Sequence, residues 1–491
     1  MHDLLVIGGG INGCGIAVDA AGRGLSVTLV EQGDLACATS SNSSKLIHGG
    51  LRYLEHYEFR LVHEALKERE VLWKKAPHIA WPLRFRLPHQ RGGRPNWLVR
   101  LGLFLYDHLG KRVSLPSTSS WRDTSGLLQP HATAGFEYSD LWVDDARLVV
   151  LNARQAEQLG ADIRTRTRFV GARDCTTHWE VEVQKGDEKE TIQARAIVNA
   201  AGPWVDNVFN ATQRPSPHPA RLIKGSHIVV PKLYDEERAF ILPNHDQRVI
   251  FVLPWLDHFS LIGTTDVEIT GDPGAVECSD QEQAYLLDAA NRFFQRQLTD
   301  ADVKWRYAGV RPLLDDGDGS AQKVTRDYQL VLNQKGAPLL SVHGGKLTTY
   351  RTLAQKAVDK LSELFPNMGA RWTHAAPLPG AQDYDENRLC ARLSDSGLSE
   401  ITQRRFRRSY GMEALSLIDH DLGQDFGHEF FEAELQWMVE HEFAQTAQDA
   451  LFRRSKMGVI LDAEQRAAVE AWFDQNISSD RSPNRLRSRA S

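Results

Sequence analysis

The first thirty-odd residues constrain this chain more than any other stretch. An apolar run, Leu4-Leu5-Val6-Ile7, feeds Gly8-Gly9-Gly10-Ile11-Asn12-Gly13; a helical run follows, and a second apolar strand, Val27-Thr28-Leu29-Val30, ends in Glu31. The glycines act separately. Gly8 permits the tight turn, Gly10 lets backbone approach a pyrophosphate, and Gly13 allows helix to pack closely on strand. A phosphate would then sit on the unsatisfied N–H groups of the helix start, and Glu31 stands where a carboxylate takes the hydroxyls of an adenosine ribose. A glycine turn alone is a weak signal. Strand, turn, helix, strand and acid in this order read as a dinucleotide site, and do not say which dinucleotide.

A chain of 491 residues exceeds one ordinary core and should divide into two or three domains. The net charge of -6 argues against a nucleic-acid binder held by general electrostatics. The five cysteines form no C-x-x-C pair, which suits a reducing compartment and predicts no metal site. A core strand beginning by residue 4 leaves no room for a signal peptide, and no apolar run reaches the length of a spanning helix. The expected location is the cytoplasm, with attachment to a membrane face kept open.

Residues 39–53 are rich in hydroxyls and glycines, the composition of a cofactor-lining loop and equally of a flexible surface loop. A helix is expected over 58–75. Residues 83–113 carry Arg84, Arg86, Arg91, Arg94, Arg100, Lys111 and Arg112 around Trp97, Leu101, Phe104 and Tyr106. That pattern suits a helix lying in a lipid interface, and also a buried helix with basic flanks. A buried strand over 194–201 running into Gly202-Pro203-Trp204 should return the chain to the cofactor, and 219–330 reads as β-rich. Residues 339–350 give another strand, a double-glycine turn and a helix start, without a second dinucleotide fingerprint. Past Pro377-Leu378-Pro379-Gly380 the composition becomes helical and charged; Gly427-His428-Glu429 lacks the second histidine of a metal helix and reads as a solvated helix face.

Several longer blocks carry a resemblance. Val6-Ile7-Gly8-Gly9-Gly10-Ile11-Asn12-Gly13, Ser43-Ser44-Lys45-Leu46-Ile47-His48-Gly49-Gly50-Leu51-Arg52-Tyr53-Leu54, Lys224-Gly225-Ser226-His227, Gly309-Val310-Arg311-Pro312, Thr325-Arg326-Asp327-Tyr328 and Gly344-Gly345-Lys346-Leu347-Thr348-Thr349-Tyr350-Arg351 resemble the FAD-dependent, respiratory glycerol-3-phosphate dehydrogenases. The resemblance runs through nearly the whole chain and implies an α/β fold. Its parts would be a Rossmann-like FAD-binding domain (1–80, 145–215 and 335–375), a β-rich substrate domain (81–144 and 216–334) carrying the basic amphipathic segment, an all-α C-terminal domain (380–480) and a disordered tail (481–491).

The same resemblance implies that glycerol 3-phosphate loses hydride from C2 to FAD and that a membrane quinone takes the electrons. The enzyme would sit on the cytoplasmic face of the inner membrane, attached peripherally, and a homodimer stays open. It implies substrate contacts from Arg52, Tyr53, Arg311 and Arg326, where guanidinium forks suit a phosphate dianion. The catalytic set would be His48, His227, Arg311 and Lys346, with the proton acceptor undecided between the two histidines. The cofactor set would be Gly8, Gly10, Asn12, Gly13, Glu31, Thr39, Ser40, Ser44, Lys45, Leu46, Ala201, Gly202, Gly345, Lys346, Leu347 and Thr348. The competing readings are a soluble oxidase that passes electrons to oxygen and a non-catalytic flavin-binding interaction protein.

Overall fold

The computed structural model describes residues 1–89, 94–110, 114–217, 220–246, 248–314 and 328–477. The expected tail 481–491 lies outside them, as do Arg91, Lys111, Arg112 and Arg326.

The glycine turn joins β1 (His2–Ile7) to α1 (Ile11–Gly22), and β2 (Val27–Val30) follows. β1 is the middle of a sheet of eight described strands whose main path is ordered Gln329–Asn333, Leu339–His343, Glu188–Asn199, β1, β2, Asp162–Arg164; the path runs parallel except for the edge strand Gln329–Asn333, and Trp179–Lys185 and Arg168–Asp174 add to Glu188–Asn199 as an antiparallel extension. Leu4, Leu5 and Val6 are fully buried, as a strand covered on both faces must be. α1 lies on this sheet against the helices Asp145–Gln158 and Tyr350–Asp359. Gly15 makes the approach possible, since a Cβ there would stand 2.8 Å from the Tyr350 ring.

The second sheet holds ten described strands, ordered along its main path from Val267–Glu268 through Ala220–Pro231, Phe259–Gly263, Val249–Trp255, Arg238–Pro243, Ala80–Pro88 and Ala134–Val143 to Leu46–Ile47. Trp305–Leu314 adds to it by pairing with Ala220–Pro231. Side-chain alternation gives it two apolar faces. Ile228, Val230, Phe240 and Val252 meet the helix Asp280–Asn291, while Phe85, Val229, Leu261 and Tyr307 face α2 (Phe59–Lys75) and α3 (Asn96–Leu109).

This arrangement corrects part of the reading of the basic segment. Residues 80–88 are a strand inside the sheet, and Arg84 and Arg86 turn to Glu137 at 2.8 and 3.1 Å rather than toward lipid. α3 alone keeps the amphipathic character: Leu103 and Tyr106 are buried, whereas Trp97, Leu98, Leu101 and Phe104 are exposed. The expected helix face at 427–429 is also corrected, because His428 and Glu429 adopt left-handed backbone in a loop and Glu429 accepts from Ser399.

The C-terminal helices close on their own core of Phe406, Phe430, Leu435, Met438 and Val469. They dock on the first sheet's helices through guanidinium forks: Arg147 on Glu442 at 3.1 and 2.7 Å, and Arg154 on Glu413 at 2.7 and 2.9 Å. Both Arg147 and Glu442 are buried, so neither charge tolerates loss of the other. Arg147→Ala should therefore cost about 3–5 kcal/mol, seen as a large fall in thermal midpoint. Arg147→Met combined with Glu442→Leu should restore most of it; a single variant as stable as the parent would refute the pairing argument.

Candidate active site

The site begins at the glycine turn. Gly8 holds φ +112°, and a Cβ on it would lie 2.5 Å from the Ala200 carbonyl oxygen; one on Gly13 would lie 1.9 Å from that of Gly8. The turn is that tight. Gly10 caps α1 without a side chain, and Ser40 Oγ accepts from Ile11 N at 3.0 Å, bringing the loop that follows β2 over the helix start. Glu31 ends β2 with its carboxylate accepting from Gly9 N at 2.7 Å and Gly33 N at 2.8 Å. Burial raises its pKa, and those two hydrogen bonds work against the rise.

From this turn a cleft of about 540 Å³ runs between the sheets. Gly8, Gly10, Asn12, Glu31, Ala201 and Gly202 line it around the glycine turn, Thr39, Ser40, Ser44 and Leu46 along the loop after β2, and His48, Tyr53, His227, Arg311, Gly345, Lys346, Leu347 and Thr348 complete the lining. Segments distant in sequence thus converge. Thr348 Oγ1 lies 3.3 Å from both the N and O of His48, and Asn12 Nδ2 donates to Gly344 O at 3.2 Å. Lys346 is extended backbone that caps the turn Leu347–Thr349, and its ammonium stands 3.7 Å from the centre of the Tyr53 ring.

His227 occupies space that a side chain would deny it: a Cβ on Gly263 would stand 2.0 Å from its ring. The imidazole stacks on Tyr307 with centroids 4.8 Å apart, and Nε2 lies 3.0 Å from Ser44 Oγ. Burial first, then the nearby charges of Lys45 and Arg311, push its pKa down to about 3. Arg311 is anchored through Nη2 to Asp266 at 2.5 Å and the Thr265 carbonyl at 3.1 Å, in room left by Gly225.

Two expected cofactor contacts do not line the cleft. Lys45 is buried with its ammonium on Asp145 at 2.8 Å and the Ser41 carbonyl at 2.9 Å, because an interior cation needs a carboxylate more than the cleft needs a lysine. Gly13 lies behind the turn, against Gly8. Arg326 and the side chain of Arg52 lie outside the described residues. Sequence reasoning missed Phe169 and Thr264 among the lining groups, and the service of Gly225 and Gly263 behind it, whereas Asn42 and Trp204 fall in segments it had directed to the cofactor. For the glycines a signal existed: an isolated Gly within a strand marks close approach of another group.

Residues 3–351 match the family model described as FAD dependent oxidoreductase, and residues 371–474 match the C-terminal domain of alpha-glycerophosphate oxidase. Over 485 residues the chain is 54% identical to the aerobic glycerol-3-phosphate dehydrogenase of Escherichia coli, covering 96% of this chain and 97% of that one. It is 50% identical to the D-erythritol 1-phosphate dehydrogenase of Brucella abortus, covering 96% and 97%. A glycerol-3-phosphate dehydrogenase from Bacillus halodurans, solved with FAD, superposes with a TM-score of 0.78 at 27% identity, covering 100% of this chain and 94% of that one. The chain is an FAD dependent oxidoreductase. Within that class it belongs to the glycerol-3-phosphate dehydrogenase family.

The residues present fit the cofactor. Glu31 suits the ribose, the uncapped start of α1 suits the pyrophosphate, and Asn12 Oδ1, buried with no hydrogen-bond partner, points to a missing donor.

His227 and His78, both buried and both shifted to about 3, give a pH prediction. The unfolded imidazoles take up protons near pH 6.5 while the folded ones refuse them. The stability they contribute is complete above pH 6.5 and is lost as pH falls toward 3, at about 1.4 kcal/mol per pH unit for each histidine. Urea midpoints measured between pH 7.5 and 5 should fall accordingly, and His78→Gln should flatten the slope. An unchanged slope would remove His78 from the account.

Proposed function

We propose that the protein oxidises sn-glycerol 3-phosphate at C2 to dihydroxyacetone phosphate and delivers the electrons to a membrane quinone. The observation that carries the reading is the end-to-end 54% identity to an aerobic glycerol-3-phosphate dehydrogenase, with His48, His227, Arg311 and Lys346 gathered in one cleft. Bound FAD supplies the hydride acceptor. This chain supplies the rest. Arg311, held in orientation by Asp266, binds the phosphate, aided by Arg326 on the strength of the family resemblance. Lys346, fixed over Tyr53, places a cation where negative charge accumulates during reduction.

His48 takes the hydroxyl proton as hydride leaves C2. His227 is the poorer acceptor, because burial and two cations make its imidazole so weakly basic; it instead holds Ser44 and stays neutral. His48→Asn should lower kcat by about 10²–10⁴ while FAD content stays at the parent level. Arg311→Ala should raise KM by tenfold or more, the worth of a charged hydrogen bond of about 1.5–3 kcal/mol. Unaltered kcat in the first or KM in the second would strike that residue from its role. The half-reaction itself is read anaerobically: substrate must bleach the flavin absorbance, and no bleaching would overturn the whole reading.

The C-terminal match to an oxidase domain favours one rival, electron transfer to oxygen. Measuring quinone reduction and peroxide release in parallel decides between them. The 50% identical erythritol-phosphate enzyme makes that longer polyol phosphate the competing substrate for the same assay.

Electron delivery to a lipid-borne acceptor calls for a docking face, and no described helix is long and apolar enough to cross a membrane. In this reading α3 docks peripherally on the cytoplasmic face of the inner membrane, its exposed Trp97, Leu98, Leu101 and Phe104 entering the acyl boundary and Arg94 and Arg100 meeting anionic headgroups. Trp97→Ser combined with Phe104→Ser should reduce co-sedimentation with phosphatidylglycerol vesicles by about tenfold or more, since each aromatic buries a large apolar area. Equal sedimentation would place the docking face elsewhere.

A further inference from the structure

We propose that Arg453, Arg454 and Lys456 are positioning residues for FAD, through which the C-terminal helical domain sets how tightly the cofactor is held. The proposal rests on the cofactor reading of the cleft and adds a role for a domain that contributes little to its lining.

The three cations follow one another closely. A π-helical turn, Asp449–Arg454, ends in Ser455, and Lys456 takes left-handed backbone at φ 60°, which turns the chain while keeping all three side chains on the first sheet's side. Arg454 is fully buried. Its Nη1 and Nη2 fork onto Asp34 at 2.5 and 2.8 Å, and Nε and Nη2 also donate to the Glu442 carbonyl at 2.9 and 2.6 Å. Arg453 Nε reaches the same Asp34 at 2.5 Å. Lys456 Nζ lies 2.5 and 2.7 Å from the two carboxylate oxygens of Asp144.

Each carboxylate is one step from a cofactor-lining segment. Asp34 belongs to the turn after Glu31, in which Gly33 N donates to Glu31 and Ala36 N donates to the Gly9 carbonyl. Holding Asp34 therefore holds the ribose-facing carboxylate and the glycine turn together. Asp144 caps the helix Asp145–Gln158, and its neighbour Asp145 binds Ser43 and Lys45 of the loop that crosses the middle of the cleft. Two separate segments of the cofactor site are thus gripped from the short stretch 453–456.

The electrostatics agree with a working clamp. Burial by itself would raise the pKa of Asp34 and of Asp144; Arg454 with Arg453, and Lys456 respectively, outweigh it and hold both carboxyls below the usual range. Breaking either pair leaves a buried charge that must move or take up a proton, and the loop above it moves with it. The effect should be graded rather than total, since Arg166 N and Thr167 N also hold this loop through the Gly33 and Glu31 carbonyls at 2.8 and 2.7 Å.

The test is titration of FAD into full-length apoprotein, followed by quenching of flavin fluorescence, with ADP as a competing probe of the adenosine end. The parent must bind FAD; failure there overturns the cofactor reading itself and is seen before any variant is made. Arg454→Met and Arg453→Met should weaken FAD about tenfold and threefold and weaken ADP by the same factors. Lys456→Met should weaken FAD about tenfold and ADP by a smaller factor, because its loop runs from Ser40 over the start of α1 to Ser44 beside His227 and so meets more of FAD than of ADP. Arg454→Lys should recover part of the loss. Arg154→Met is the control: it breaks the fork to Glu413 at the same domain junction but reaches neither loop, so it should lower the thermal midpoint and leave both affinities within twofold. Should Arg454→Met fail to fold, the less buried Arg453 and the Lys456 variant still decide. Parent-like FAD affinity in those variants, or equal weakening by Arg154→Met, would reduce the clamp to ordinary domain docking and overturn the proposal.

Discussion

One buried carboxylate, Asp145, carries the loop on which the site is assembled. It sits at the first residue of a helix, fully buried, and accepts from Ser43 N at 3.2 Å, Ser43 Oγ at 2.7 Å and the Lys45 ammonium at 2.8 Å. A buried lysine and a serine backbone each need such an acceptor, and here one group serves both. The loop it pins leaves β2 on the first sheet and ends as Leu46–Ile47, paired with Leu141 and Trp142 of the second. Ser40 over the glycine turn, Ser44 against His227 and His48 in the cleft all hang from that stretch. The two sheets are brought to bear on one cleft by a chain segment that neither would hold alone.

The cleft is built on two principles. Around the glycine turn the backbone does the work: a left-handed glycine, a helix start without a cap and a carboxylate locked by two N–H groups. Around His227 and Arg311 side chains do it, and glycine acts by absence. Gly225, Gly263 and Gly309 lie in strands where a Cβ would strike Arg311, His227 and Asn42. The second sheet is hollowed at those three places so that a guanidinium, an imidazole and a loop can lie flat against it.

What is legible in the sequence follows from range. The glycine turn, α1 and β2 declare themselves because every interaction that defines them is local, and the long blocks around His48, Arg311 and Lys346 carry a family pattern whose members meet in the cleft. Lys45 is not legible in this way because its partner lies a hundred residues away; nothing near it in the chain says that its charge is spoken for. Arg84 and Arg86 hide their role for the same reason, as their carboxylates on Glu137 and Glu236 become neighbours only when the strands pair. α3 shows the other limit. Trp97, Leu101 and Phe104 share a helix face by spacing, yet Leu103 and Tyr106 are equally apolar, and only packing decides which face the fold covers.

That helix also shows how near the proposed lipid face stands to the chemistry. On its inner side Tyr106 OH accepts from Gly49 N at 2.7 Å and donates to the Asp140 carboxylate, which Arg69 holds at 2.7 Å. Burial and the neighbouring Asp140 raise the Tyr106 pKa far above its ordinary value, so the phenol keeps its proton and keeps both bonds. Gly49 follows His48 directly, and a Cβ on it would meet Leu66 and Tyr106, so the contact has no slack. A helix fastened in this way cannot tilt or slide without carrying the His48 backbone along. Docking through its outer face, as proposed, would therefore leave His48 where the second sheet and Thr348 have set it, with the cleft oriented toward the lipid by the same buried network that shapes the site.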